Sequence, residues 1–375
     1  MSGYTYPYGY SYPNEFSEPL VWLPVMVAYS LLASGATLIL IASIAYLTGW
    51  QKRLVPYMLL TGLGMYAVVL LGPLADVRAP EHSLKFLTSL HITPSSTNLG
   101  ISLISLHAAL LWPITFLLAA VFAVIYLSYP TYRYSLAGGR LAGLRRILSL
   151  GVSSSEKYRS YSPLLKALAV ILVIPTLLWS MYPTSILPTQ TANPIWRSWQ
   201  LLPLTQLAGG IVVAGSATTL TYLAFTHNRV EGPSALMKLL ITGSVASAFL
   251  LLLQTAYWYI ALGDTFLYAA AKPISLWAIV AAIVFAAAAA IAYQAIKKPS
   301  ASMAALASII GIIASIINLW NILVNAQLAS KTGAATLPAT LGLVQILEAI
   351  AVPALAVFVI IILFWIFPVG GGGNE

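Results

Sequence analysis

The chain of 375 residues contains no cysteine, and only 7% of its residues are charged. The first absence excludes disulfides, thiolate zinc sites and ligation of an iron–sulfur cluster by this chain. The second excludes an ordinary water-soluble surface, for which about 25% charged residues is usual. Acidic residues are the scarcest charges, with nine Asp and Glu against 18 Lys and Arg, and there are four histidines. The N-terminal "MSGYTYPYGYSYPNEFSEPL" has no Lys or Arg and no short apolar core, so it does not read as a cleavable signal peptide. Its five tyrosines before Asn14 fit an arm over 1–19 lying on a surface or partner, or equally a floppy tail.

What is abundant is hydrocarbon: 60% of the residues are hydrophobic and the mean hydropathy is +0.89. A membrane helix needs about 20 apolar residues. Nine stretches qualify: 20–47, 54–75, 99–128, 164–183, 201–226, 236–262, 273–296, 301–328 and 338–367. Polar or Pro/Gly-rich pieces such as "TGWQKR", "LPTQTANP", "THNRVEGP" and "KKPS" separate them. The expected fold is therefore all-α, a polytopic membrane protein of about nine transmembrane helices over 20–367, with a Gly-rich tail at 368–375.

Basic residues orient the spans, because cytoplasmic loops carry the Lys and Arg excess. One set of loops holds thirteen of them, including Lys52, Arg53, Arg140, Arg145, Arg146 and Arg159. The other set holds five: Arg78, Lys85, Arg197, Lys272 and Lys331. The N-terminus is expected outside, the C-terminus inside, in the cell membrane. The net charge of +9 is then a topology signal. No nucleic-acid partner is expected, and "GGRLAGLRRILSLGV" reads as a basic amphipathic piece on the inner leaflet.

Polar groups at membrane depth are costly and usually face protein or water. Glu348 is expected roughly 15 Å deep and His107 roughly 12 Å, at about 1.5 Å per residue. Tyr29 lies at a similar depth. Gln345 shares a helix face with Glu348, and Asn318, Asn321 and Asn325 form one stripe. Leu103 and Ile104 are the neighbours one turn outward of His107, so any partner for its ring must come from another helix or a ligand. These groups crowd the outer half of the membrane and leave the inner half nearly bare, which points to one polar pocket reached from outside. The competing structural roles are ordinary. A membrane histidine can simply bond a neighbouring helix, and an asparagine stripe can hold helices together. Glu348 has no Lys or Arg at its depth, and a carboxylate buried without a cation has a raised pKa that suits proton exchange.

The segment "GPLADVRAPEHSLKFLTSLHITPSSTNLGISLISLH" concentrates the scarce charges. It resembles the NrfD/polysulfide-reductase membrane-subunit family. One family turn stands here as Gly72, Pro73, Leu74, Ala75, Asp76, Arg78 and Pro80, a second as His91, Thr93, Pro94, Ser95 and Gly100. The first span carries Trp22, Tyr29 and "ASGA" where the family has a tryptophan, an aromatic and a small-residue cluster. The likeness is specific over 20–110. It implies an anchor subunit that exchanges electrons and protons with quinone (menaquinone or similar) near the outer face and carries no haem. It also implies two partners on that face: a ferredoxin-like iron–sulfur subunit and a molybdopterin catalytic subunit. Asp76, His91 and Glu348 are the candidate proton relay; Trp22, Tyr29, Arg78 and His107 are the candidate quinone pocket. The charges of the segment could equally form a docking rim, above all Glu81, His82 and Lys85.

Three departures bear on this. Leu23 and Met26 stand where some family members place quinone ligands, the turn into the third span lacks tryptophan, and a ninth span exceeds the usual eight. Two other readings compete. A proton-coupled secondary transporter would use Glu348 and the asparagines, but no matched pair of broken helices is evident. An anchor with a decayed quinone site would explain the missing first-helix ligands. A bis-histidine haem would need two facing membrane histidines, and only His107 is clearly within a span.

Overall fold

A computed structural model describes residues 23–76, 106–189, 195–196, 199–226, 233–261, 268–328, 340–367 and 369. Among these residues there is no strand, and nine helices are long and apolar enough to cross a membrane. They are α1 (Val25–Thr48), α2 (Lys52–Ala75), α3 (Leu106–Leu136), α4 (Ser162–Ser185), α5 (Leu202–Phe225), α6 (Pro233–Trp258), α7 (Lys272–Lys297), α8 (Ala301–Leu328) and α9 (Leu343–Ile366). Helices are what the bilayer demands, since each backbone N–H and C=O must be satisfied within its own segment.

Helices α1–α4 pack as one bundle and α5–α8 as another. The bundles meet where α5 lies against α1, α2 and α4, and α9 packs along α2 and the first turns of α1. Helices α1 and α2 are the inner pair: 89% and 78% of their central windows are buried, against 22% for α9. The apolar effect gives helices little reason to associate inside lipid, so close backbone approach and interhelical polar contacts must do it. Gly35 and Gly62 provide the approach. A Cβ on Gly35 would stand 2.7 Å from the Gly62 carbonyl oxygen, and one on Gly62 would stand 2.9 Å from that of Gly35. Polar ties follow the same seams. Thr37 Oγ1 donates to Ser180 Oγ at 3.0 Å, and Gln206 Nε2 donates to the Ser30 carbonyl at 3.0 Å. Thr61 and Thr221 share a hydroxyl contact of 3.0 Å.

Helix α9 presents one buried stripe, Val352, Ala356, Ile360 and Phe364. Ile360 closes on Gly64 of α2, and Phe364 stacks on Phe225 of α5 with centroids 4.3 Å apart. Its last turn is held by Arg145 from the α3–α4 connection, whose Nε and Nη2 donate to the carbonyls of Ile366 (3.1 Å) and Trp365 (2.9 Å). A guanidinium on the unsatisfied carbonyls of a helix C-terminus is favourable by charge as well as by hydrogen bonding. This contact sets the α3–α4 connection and the end of α9 on one side of the protein, as an odd number of spans requires.

Two expectations are corrected. The third span was expected to end at 128, but α3 runs on to Leu136. Hydropathy falls at "SYPTYRYSL", yet the helix persists because its tyrosines find partners. Tyr158 Oη donates to the Tyr126 carbonyl at 3.2 Å, and Tyr129 stacks on Tyr158 at 6.2 Å. Burial holds the Tyr158 phenol well above its ordinary pKa, with the nearby Tyr126 and Tyr46 adding to the shift. The half of the membrane region on the Arg145 side is also not bare: Ser43, Thr61, Ser128 and Thr131 are buried there. Hydroxyls are tolerated at depth because they can bond a carbonyl of their own helix, as Ser128 Oγ does to Ile125 at 2.7 Å.

Candidate functional site

At the end of the first bundle opposite Arg145, aromatic side chains from three helices converge. His107 lies in a π-helical turn, Leu106–Leu111, that opens α3. Pro113 comes two residues after the end of that turn. It has no N–H to give the carbonyl of Ala109, so the ordinary ladder is broken there and a wider turn can form. The turn carries the half-buried His107 ring onto Tyr182 of α4, with centroids 3.7 Å apart and planes 11° from parallel. Trp179, one turn earlier on α4, meets the same imidazole edge-on at 6.0 Å and Tyr182 at 5.2 Å. Tyr66 of α2 completes the group, 5.4 Å from Trp179 and nearly perpendicular to it. Trp112 leans on Tyr66 from α3 and donates Nε1 to the Tyr66 carbonyl at 3.0 Å.

Three buried polar atoms in this cluster have no hydrogen-bond partner: Tyr66 Oη, Thr115 Oγ1 and Trp179 Nε1. Tyr66 Oη and Thr115 Oγ1 lie close to each other, but their geometry falls short of a hydrogen bond. A buried donor left unmade costs about 1–3 kcal/mol. Two of these three sit on rigid rings and cannot turn back to a carbonyl of their own helix. An acceptor entering the cluster would recover that energy, and the stacked rings offer flat faces to a planar guest.

Tyr29 joins the same region from α1, buried, within electrostatic reach of the Tyr182 and Tyr66 hydroxyls. It stands in the second turn of α1, where Gly72 of α2 presses on it. A Cβ on Gly72 would lie 2.5 Å from the Tyr29 Cβ and 3.3 Å from its Cα. The glycine of the "GPLAD" turn thus has a packing reason: only its bare backbone lets α2 close over Tyr29. Asp76 follows Gly72 by one helical turn, at the end of α2.

Of the residues singled out from the sequence, the structure therefore places Tyr29 and His107 in one region, each near Tyr182, with Asp76 one turn after the Gly72 that packs on Tyr29. Trp22, Arg78 and His91 lie outside the described residues. Glu348 stands apart on α9, half-buried, one turn before Val352 on the stripe that packs against α1 and α2. Gln345 is engaged elsewhere, its Oε1 accepting the Gly342 N–H at 3.0 Å to cap α9. Asn321 and Asn325 act as ties: Asn321 Nδ2 donates to the Ile274 carbonyl of α7 at 2.9 Å, and Asn325 Nδ2 to Asn321 Oδ1 at 3.2 Å. Met26 is buried in the core. Sequence reasoning missed Tyr66, Trp179 and Tyr182. Their signal was an aromatic pair at i, i+3 near the end of the fourth span and a tyrosine ten residues before Asp76.

No family profile matches the chain. A curated tetrathionate reductase subunit of Archaeoglobus fulgidus is 35% identical to it over 370 residues, 97% of each chain. The chain belongs to the NrfD/polysulfide-reductase membrane-subunit family. The relationship runs the whole length, well beyond the 20–110 stretch in which the NrfD turns are readable, and it includes the ninth helix. As an NrfD-type subunit with, among the described residues, nine helices long and apolar enough to cross the bilayer, it is a multi-pass membrane protein.

Proposed function

We propose that this protein anchors a multi-subunit reductase in the membrane and exchanges electrons and protons with a quinone at the His107–Tyr182–Trp179–Tyr66 cluster. One observation carries the reading: a stack of aromatic rings with buried, unpartnered donors at Tyr66 Oη and Trp179 Nε1. A quinone ring is flat and has an acceptor oxygen at each end, so it answers both features. When bound, it supplies a carrier for two electrons and two protons. The chain supplies the rest. Tyr66 and Trp179 hold carbonyl oxygens by donation, and Tyr182 and His107 give the ring a face to lie on. His107, at the half-buried rim, is the group placed to pass protons between the ring and the membrane edge. Asp76, at the end of α2, extends that exchange toward the membrane edge.

The loops carrying thirteen of the basic residues are assigned to the inside, which sets the cluster near the outer face. There a ferredoxin-like iron–sulfur subunit and a molybdopterin subunit are proposed to dock. The relative's name refers to tetrathionate, and we extend that class, sulfur oxyanions, to the catalytic partner of this chain. Protons are expected to enter and leave on the outer side, so quinone turnover in proteoliposomes should take up none from the inner side.

The experiment is purification of the full complex by a tag on this chain in mild detergent. Solvent extraction would follow, together with a comparison of quinone-linked and dye-linked reductase activity. The reading expects retained quinone, and a loss of about tenfold in quinone-linked turnover for Tyr66→Phe with dye-linked turnover unchanged. That loss is the free energy of one buried hydrogen bond. A complex that binds no quinone, or one indifferent to Tyr66→Phe and Trp179→Phe together, contradicts it.

A further inference from the structure

The α3–α4 connection holds a second chemistry, separate from the quinone reading. It turns sharply at Gly138 and Gly139, with φ of +77° and +94°. It then forms the short helix Ala142–Leu148 and turns again at Leu150 and Gly151, with φ of +53° and +68°. One side of this piece is fastened down. Arg145 is bound to the last carbonyls of α9, while Ser149 and Val152 are buried. The other side is bare: Leu144 is 40% exposed and Ile147 74%. Arg140 and Arg146 are exposed beside them. A folded chain has no reason to fix two large apolar residues outward among arginines if water is the neighbour.

Three observations say what the neighbour is. Arg145 reaches the Trp365 carbonyl, so the short helix lies level with the end of a membrane helix and its exposed tryptophan. Leu136 and Leu164, at the ends of α3 and α4 that this connection joins, are exposed apolar residues as well. The charges beside it are basic: Arg140, Arg146, Lys157, Arg159 and Lys166 stand against Glu156 alone over 137–166. Apolar residues at the hydrocarbon boundary with arginines beside them fit a phospholipid surface that carries negative headgroups.

We propose that the segment from Gly138 to Gly151 is a binding platform for anionic phospholipid, with Leu144 and Ile147 inserted at the acyl boundary and Arg140 and Arg146 on the phosphates. It is held at the right height by the Arg145 clamp on α9.

The absence of native cysteine allows a clean test. Ile147→Cys in the full chain, carrying a nitroxide, is reconstituted in nanodiscs of phosphatidylcholine with or without phosphatidylglycerol. Collision with oxygen and with a water-soluble nickel chelate is then compared. The proposal expects an oxygen-accessible, nickel-shielded label that becomes more so with phosphatidylglycerol. It also expects Arg140→Gln and Arg146→Gln each to weaken retention of phosphatidylglycerol in native mass spectrometry by about fivefold, the ~1 kcal/mol of one basic residue at an anionic surface. Lys297→Gln, at the end of α7, is the control that should weaken it less. A label freely accessible to nickel in phosphatidylglycerol discs would overturn the proposal. So would a shift produced equally by inorganic phosphate in phosphatidylcholine discs, which would make the site one for free anions.

Discussion

The two four-helix bundles differ in what fills them. The α1–α4 bundle is centred at one end on rings: Tyr66, Trp179, Tyr182, Trp112 and His107. The α5–α8 bundle is filled largely by alanine, serine and glycine, with Gly215, Gly243 and Gly311 each against a neighbouring helix. Both contain buried Ser and Thr hydroxyls without partners, Ser30, Ser43, Thr115 and Thr131 being those in α1–α4; what sets the first bundle apart is its ring-borne donors. In α5–α8 most are hydroxyls, such as Ser216, Thr218, Ser244 and Ser247. A rotation about χ1 can bring such a hydroxyl onto a carbonyl of its own helix, so it creates no demand for a ligand. In α1–α4 the ring-borne donors of Tyr66 and Trp179 have no such escape. The second bundle has partnerless groups of other kinds too: Gln206 Oε1, Asn318 Oδ1 and, just before α5, the Nε1 of Trp199 beside Trp258 at 4.8 Å. On the proposed reading, the converging rings of α1–α4 hold the chemistry and α5–α8 is scaffold.

The largest effect should come from overfilling the scaffold. A Cβ on Gly243 would stand 2.7 Å from the Val212 nitrogen and 2.9 Å from the Ala208 oxygen, both backbone atoms that cannot give way. Gly243→Val should therefore destabilise by about 3 kcal/mol or more, the upper range for overpacking, and abolish the monodisperse peak in detergent chromatography. Gly143→Ala, with nothing within 4 Å of the added carbon, should leave the peak intact.

Changing the first bundle should separate function from folding. His107→Ala removes one face of the stack at a half-buried position, so the thermal midpoint should move little. Quinone-linked turnover should fall at least about tenfold, the worth of one buried polar contact, while dye-linked turnover of the complex stays the same. An equal loss of both activities would make His107 a structural residue. A smaller effect is expected at Arg145→Ala, which frees the last carbonyls of α9. A charge at a helix C-terminus contributes roughly 0.3–1 kcal/mol, so hydrogen exchange should rise in the last turn of α9 and nowhere in α5–α8. Smallest is Asn321→Ala, which cuts the tie to Ile274. Interhelical hydrogen bonds in membranes average about 0.6 kcal/mol, below what would alter turnover.

Much of this architecture was legible in the sequence because hydrocarbon is a simple solvent. Nine apolar runs appear as nine helices among the described residues, and the readable NrfD turns carried a relationship that extends over 97% of the chain. Ends were harder. Tyr129–Leu136 looks polar, yet it continues α3, where Tyr129 packs on Tyr158, a contact between segments distant in sequence. The site was half legible for the same reason. Tyr29 and His107 stand out as polar groups in apolar runs. Tyr66, Trp179 and Tyr182 look like ordinary membrane aromatics until packing shows which of their donors lack a partner. Gln345 and Asn321 illustrate the reverse, since polar groups at depth turned out to cap a helix and to tie two together.

The most direct test is to label the intact complex with an azido-quinone and map the modified peptides. The account predicts label on the segments containing His107 and Thr115 of α3 and Trp179 and Tyr182 of α4, suppressed by excess native quinone. Label confined to α5–α8, beside Trp199 and Trp258, would contradict it and move the chemistry to the bundle assigned here to scaffolding.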